Sequence, residues 1–508
     1  MRTMQQAFEA VETYSPAEER FNRRRRTTGL FAAPVVFGLV LLAPMALAPA
    51  AHRMAAVMAL VVVLWVTEAL PMAVSALLVP TLAIVLGIAP ARVALASFAD
   101  PIIFLFIGSF MLAEAMFVHG VDRRLAYTAL GWRAVGSSGI RILLVYGAVT
   151  TALSMWISNT ATTAMMFPIG LSVVSHLAGQ QRRSTGDLRR FAMGMMLVTS
   201  FGASIGGMAT PVGTPPNLIG IGLMERIQGV HLGFFQWMAL GVPIVVLLFA
   251  VLAVHLSSSC ARGVTAGADS SDMVREELRK LGPVSAGQRN VMIAFGVAVL
   301  LWVTPGFLAL TGLGDSPFAR RYEAVMPESV AAMVGALLLF LLPVSWRGRR
   351  FTLSWDEAVR IDWGIILLYG GGLALGDLAF STGLAKALGE AITAWLPSTS
   401  TLAITVVFTG LAILLSEMTS NTASANMIVP IVMAVSKVAG ADPVLPAIAT
   451  TLGASMGFMM PISTAPNAIV YSSGYVPIGQ MVKYGLVLDL AAFVVIVTLV
   501  TTLGPHVF

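Results

Sequence analysis

What most limits this chain is a series of apolar blocks, most about as long as a bilayer is thick, held apart by short arginine runs. The blocks fall at roughly 29–49, 54–70, 72–90, 101–120, 142–178, 191–224, 235–256, 290–312, 327–345, 362–385, 401–436, 443–474 and 478–504. A helix needs about 20 apolar residues to cross the hydrocarbon core, and only helices or closed barrels satisfy their backbone there. Of the 508 residues, 57% are hydrophobic and 11% charged, where a soluble domain carries about 25% charge. Such a chain cannot cover a surface that faces water. The lipid bilayer is its solvent, and an all-α polytopic membrane protein with roughly ten to twelve spans is expected.

The net charge of +6 gathers in the runs Arg23–Arg26, Arg123-Arg124, Arg182-Arg183, Arg189-Arg190 and Arg347 with Arg349-Arg350. Runs between apolar blocks mark cytoplasmic loops. They form no basic face on a soluble domain, so no nucleic-acid partner is expected. The single cysteine, Cys260, excludes an internal disulfide framework and a cysteine-rich metal site. The stretch Leu30–Ala48 is long for a signal-peptide core, its polar lead is long, and Pro49 follows directly. It reads as a signal anchor with the N-terminus in the cytoplasm, which places the chain in the cell's inner (plasma) membrane.

Four blocks, 142–178, 191–224, 401–436 and 443–474, are too long for one straight span, and each has a polar or proline-rich break near its middle. The loops flanking 142–178 are both Arg-rich, so this block leaves on the side where it entered and is a re-entrant hairpin. Counted that way, the 346–350 and 259–289 loops are cytoplasmic too. Arg320 and Arg321 are exceptions, expected outside.

The chain also repeats itself. Ser158-Asn159-Thr160 recurs as Ser420-Asn421-Thr422 (421 − 159 = 262), and Thr214-Pro215-Pro216-Asn217 recurs as Thr464-Ala465-Pro466-Asn467 (467 − 217 = 250). Gly108 with Glu114 recurs as Gly371 with Asp377 (371 − 108 = 263), and Leu64–Thr67 recurs as Leu301–Thr304. Five full crossings separate the two Ser-Asn-Thr blocks, an odd number, so the repeats are expected to be inverted. This gives a cytoplasmic segment 1–28, a first repeat 29–258 with hairpin 142–178 and broken helix 191–224, a cytoplasmic linker 259–289, and a second repeat 290–508 with hairpin 401–436 and broken helix 443–474. Inverted repeats with paired helix breaks mark carriers that work by alternating access, with the site between the repeats near the midplane.

Non-helical backbone at membrane depth costs several kcal/mol per unsatisfied group, so it persists only where protein, ions or water satisfy it. At a hairpin tip the starting helix offers free N–H groups, suited to a carboxylate, and the ending helix offers carbonyls, suited to a hard cation. Residues 142–181, 191–224, 391–435 and 443–482 contain no Lys or Arg. An anion at these breaks would meet no fixed positive side chain there, so a bound cation must supply the charge. Sodium fits the hydroxyl, amide and carbonyl oxygens present, though a proton could substitute. Against this stands the plainer view that Ser and Thr bond only their own helix and Asn glues helices together. That view suits one Ser-Asn-Thr better than two, each followed by a Pro-Asn break 58 (217 − 159) or 46 (467 − 421) residues later. Glu68 and Glu417 are weaker candidates: intramembrane acids are functional by default, yet Glu68 sits near a cytoplasmic end and Glu417 can serve as a bridge between helices.

At these residues the chain resembles the divalent anion:sodium symporters, the sodium:sulfate/dicarboxylate symporter family. The stretch from Ser455 through Phe458, Pro461, Ser463 and Asn467 to Val470 is similar to that family's signature, as are the doubled Ser-Asn-Thr, Trp65–Pro71 and Gly213–Asn217. The resemblance implies about eleven transmembrane helices, two re-entrant helical hairpins, a homodimer and an elevator-type movement. It implies a first sodium site from Ser154, Ser158, Asn159 and the Gly213 carbonyl. A second would use Ser416, the Thr419 carbonyl, Asn421 and the Ser463 carbonyl. It places substrate at Asn159, Thr160, Asn421 and Thr422, with Thr214 and Ser420 in support. The family often has Thr-Pro-Pro-Asn in both halves. Ala465 departs from that pattern and bears on which anion is preferred.

The expected function is sodium-coupled symport of C4-dicarboxylates such as succinate, malate or fumarate. A sodium-independent dicarboxylate exchanger and a sodium:sulfate symporter are the alternatives. No His-Glu-x-x-His motif occurs, and no enzyme is expected.

Overall fold

A computed structural model describes residues 16–131, 138–180, 185–262 and 270–508. Arg182-Arg183, residues 1–15 of the N-terminal segment and 263–269 of the linker lie outside these. Among the described residues the chain is almost wholly helical, with one two-stranded ribbon, Pro343–Ser345 against Arg350–Phe351. Eight helices among the described residues are long and apolar enough to cross a membrane, or nine if the pair Pro317–Val325 and Glu328–Leu341, bent by 63°, counts as one span. Their outer faces leave Val254, Leu300 and Leu310 exposed, the surface expected where lipid replaces water.

Both long Ser-Asn-Thr blocks are helix pairs. Gly139–Ser154 is followed by Asn159–Gln180, and Thr401–Met418 by Asn421–Val438. In the first pair the Tyr146 hydroxyl donates to the Met166 carbonyl at 2.7 Å, so the arms run back along each other. The serine of each motif caps the returning arm: Ser158 Oγ accepts from the Ala161 amide at 3.3 Å and Ser420 Oγ from the Ala423 amide at 3.2 Å. An N-cap oxygen answers amides that the helix start leaves free.

The other two long blocks are broken helices. Thr185–Gly207 stops and Pro215–Gln228 begins after residues 208–214, while Val444–Gly453 stops and Ala465–Tyr471 begins after residues 454–464. Proline at the first helical position lacks only a donor that would be free anyway, which is why Pro215 can open the second piece. The asparagine three residues into each restart holds the break together. Asn217 Nδ2 donates to the carbonyls of Gly207 (2.9 Å) and Thr210 (2.8 Å). Asn467 Nδ2 donates to those of Gly457 (2.9 Å) and Met460 (2.9 Å). The atoms, spacing and lengths are duplicated.

Contacts between the halves are reciprocal. Pro215–Gln228 packs on the second hairpin's Asn421–Val438, and Ala465–Tyr471 packs on the first hairpin's Asn159–Gln180. Met72–Val85 lies on Trp363–Thr382, and Glu328–Leu341 lies on Pro101–His119. Gly108 and Gly371 mark the two closest approaches of the latter pairs. A Cβ at Gly108 would sit 2.7 Å from the Ala332 backbone, and one at Gly371 2.6 Å from that of Ala76. Each break thus leans on the other half's hairpin, and the four breaks converge on one place.

Candidate substrate and ion site

A cavity of about 860 Å³ opens where the breaks meet. Ser158, Asn159, Thr160 and Thr214 line it from the first half; Ser420, Asn421, Thr422, Ser463, Thr464 and Ala465 line it from the second. All seven residues expected to touch substrate are therefore on one wall system. Of those expected to hold sodium, Ser158, Asn159, Asn421 and Ser463 line the cavity, whereas Ser154, Gly213, Ser416 and Thr419 lie behind it, buried.

Behind each tip is the same pair of oxygens. Ser154 Oγ donates to Asn159 Oδ1 at 2.9 Å, and Ser416 Oγ donates to Asn421 Oδ1 at 2.7 Å. Ser416 Oγ also lies 2.9 Å from the Ala454 carbonyl, and Asn421 Nδ2 donates to the Ser455 carbonyl at 3.1 Å. Hydroxyl, amide and backbone oxygens held this closely suit a hard monovalent cation, as at the unwound segments of other carriers. Rotation of one serine hydroxyl frees two oxygens toward such an ion. These residues fit sodium. The Thr419 hydroxyl bonds Ser424 Oγ at 2.8 Å, leaving its carbonyl as the group that resemblance assigns to the ion.

Sequence reasoning passed over two residues here, Gly207 and Gly457. A Cβ on Gly207 would collide with the Asn159 side-chain amide, and one on Gly457 would sit 3.2 Å from Asn421 Oδ1 and 3.1 Å from Ser463 Cβ. Their spacing, 457 − 207 = 250, matches that of the Pro-Asn motifs, so extending the repeat alignment upstream would have found them. It also missed Ser200, whose hydroxyl donates to Asn467 Oδ1 at 2.5 Å and ties the first broken helix to the second break.

The structure corrects the charge inventory. The four blocks carry no Lys or Arg, but Arg26 and Arg360 reach the cavity wall from outside them. Both side chains are exposed, and Arg26 lies 3.5 Å from Glu68, which Arg25 also holds at 2.6 Å. Glu68, Glu114 and Asp362 line the same cavity. Two guanidiniums against three carboxylates leave no fixed positive balance for a dianion. The need for a bound cation stands. Glu68 is an arginine clasp. Asp377, matched to Glu114 in the repeat, pairs instead with Arg226 at 2.9 Å and with Ser97 at 3.1 Å.

Asn467→Ala strips the Gly457 and Met460 carbonyls of their donor. Each buried unsatisfied group costs about 1–3 kcal/mol, so the purified protein is expected to melt several degrees lower. An unchanged melting curve would remove Asn467 from the break's support.

The chain is similar to known membrane transporters. The family model described as the sodium:sulfate symporter transmembrane region matches residues 24–508. The chain is 33% identical over 487 residues to the sodium-dependent dicarboxylate transporter SdcS of Staphylococcus saprophyticus, covering 94% of this chain and 91% of that protein. It is 32% identical over 489 residues to SdcS of Staphylococcus aureus strain USA300, with the same coverage. Among solved structures, the Alcanivorax borkumensis YdaH transporter aligns with a TM-score of 0.55 at 14% identity, over 82% of this chain and 88% of that one. Neisseria gonorrhoeae MtrF aligns with a TM-score of 0.56 at 11% identity, over 83% of each. At those identities the likeness is one of fold.

Proposed function

Because the chain belongs to the sodium:sulfate symporter family, and is a sodium-coupled membrane transporter rather than an enzyme, we propose that it imports C4-dicarboxylates such as succinate, malate or fumarate with sodium. The observation that carries this reading is the cavity lined by both Ser-Asn-Thr tips, with a serine–asparagine oxygen pair behind each and no net fixed positive charge. One sodium ion lies behind the first tip, among Ser154, Ser158, Asn159 and the Gly213 carbonyl. Another lies behind the second, among Ser416, Asn421 and the Thr419 and Ser463 carbonyls. The two ions then face a dianion held by Asn159, Thr160, Asn421 and Thr422, with the starts of Pro215–Gln228 and Ala465–Tyr471 adding amides.

The reciprocal contacts favour two repeats related by a two-fold axis in the membrane plane, and the division at 259–289 follows from that. The hairpins and broken helices pack together, which suits a transport unit that moves as one body against the rest, within a homodimer, as the resemblance implies. The cavity's exposed edge carries Arg26 and Arg360, the charge expected on the cytoplasmic face. On this reading the carrier is open inward, with its N-terminus in the cytoplasm of a cell whose plasma membrane it spans.

Ala465 is exposed in the cavity at the first position of its helix, where the first half has Pro215. Ala465→Pro is tolerated there and removes an N–H aimed at the anion. Competition of malate, fumarate and sulfate against labelled succinate is expected to shift severalfold, and an unchanged profile would take position 465 out of selectivity. Uptake of labelled succinate into proteoliposomes tests the whole reading: counterflow that persists without sodium would favour the exchanger, and sulfate outcompeting succinate would favour the sulfate symporter.

A further inference from the structure

Beside the proposed second ion site lies a buried pair of acids with no basic partner among the described residues. Glu417 ends the first arm of the second hairpin, and Asp489 sits in Ile478–Thr502; they are 6% and 4% exposed. Glu417 is well supplied with donors. The Met459 amide reaches Oε1 at 2.7 Å, and the Met460 amide (3.2 Å) and Ser463 hydroxyl (2.6 Å) reach Oε2. Asp489 has none: both its carboxylate oxygens are buried without a hydrogen-bond donor. The charged group facing it is Glu417, within hydrogen-bonding reach, and two carboxylates have no hydrogen to share. A buried charge without a partner is costly, and two of the same sign in contact more so.

The first half builds the same junction without acids. Helix Phe234–Cys260 touches its break at Gly241, where a Cβ would sit 2.7 Å from the Met208 carbonyl oxygen; helix Ile478–Thr502 touches its own at Gly485, 2.5 Å from the Phe458 carbonyl. Those break residues correspond (458 − 208 = 250), and so do the glycines (485 − 241 = 244). One turn on, Asp489 corresponds to Val245 (489 − 245 = 244), and Glu417 corresponds to Met155 (417 − 155 = 262). The fold therefore does not need the acids, and their presence in one half calls for a ligand.

We propose that Glu417 and Asp489 bound a third cation site, which holds a further sodium ion and passes its occupancy to the second ion site through Ser463. The Ser463 hydroxyl already bonds both the Glu417 carboxylate and the Glu417 carbonyl, at 2.6 and 3.0 Å. The assignment rests on the cation-coupled reading above.

The test uses the full chain in proteoliposomes, with labelled sodium and succinate fluxes and a lumenal pH dye read together. In Asp489→Asn, the net positive charge moved per succinate is expected to fall by one relative to wild type. In the same variant the sodium-to-succinate ratio is expected to drop by one; an unchanged sodium ratio with loss of succinate-linked proton entry would overturn the proposal. Asp489→Val, which copies Val245, is expected to fold and to show the same loss. Equal sodium, proton and charge ratios in wild type and both variants overturn the proposal. So does failure of both variants to fold, since the first half shows the junction standing without acids. Wild-type uptake with no cation dependence would instead defeat the transport reading itself.

Discussion

Asn159→Ala and Asn421→Ala are each expected to lower sodium-driven succinate uptake by on the order of 10²- to 10⁴-fold. On the proposed reading each asparagine offers its oxygen to an ion and an amide hydrogen to a carboxylate. A hydrogen bond to a charged group contributes about 1.5–3 kcal/mol, and about 1.4 kcal/mol is tenfold, so losing one contact of each kind gives that range. The fold survives, because the tip caps belong to Ser158 and Ser420. Size-exclusion profiles and melting curves check that point. Asn421→Asp separates the two duties. It keeps an oxygen for sodium but sets a negative charge against the dianion, so sodium binding persists while succinate binding is lost. Wild-type uptake in either alanine variant would refute the site.

The second large effect comes from a methyl group. Gly207→Ala is expected to abolish uptake, on the order of 100-fold or more, whereas Gly457→Ala costs about tenfold. A Cβ at Gly207 overlaps the Asn159 amide itself, with the Gly207 carbonyl packed under Gly213. The amide must turn away, which removes the proposed ion ligand; disturbing even a ligand's support costs about 10- to 100-fold in metal affinity. At Gly457 the neighbours are 3.1–3.3 Å away, so a shift of a few tenths of an ångström admits the methyl. Sodium titrations of purified protein measure the difference. Equal and small losses in both variants would mean that the asparagine oxygens do not ligate the ion.

The legible part of the site was the part that repeats locally. Ser-Asn-Thr and Pro-Asn are short, polar and doubled, and membrane depth makes polar breaks expensive, so their pairing could be read without coordinates. The residues that escaped notice act at a distance. Asp489 is a lone acid in the last apolar block, and only helix packing brings it to Glu417. Arg26 and Arg360 come from an N-terminal helix and a loop far from the tips, so an inventory confined to the broken blocks could not include them. Gly207 and Gly457 matter through the space they leave, which no side-chain chemistry announces. The hairpin blocks 142–178 and 401–436 correspond to the helix pairs Gly139–Gln180 and Thr401–Val438, because the polar tip and its serine cap are local signals.

The account turns on where the counter-charge for a doubly negative cargo comes from. Labelled succinate uptake into proteoliposomes, under an imposed inside-negative potential and with external sodium exchanged for choline, tests this most directly. Uptake is expected to fall to background in choline; in sodium it is expected to quicken with the potential, because two sodium ions only neutralise the dianion and the third cation proposed at Glu417 and Asp489 carries the net charge. Undiminished uptake in choline at neutral pH would contradict it.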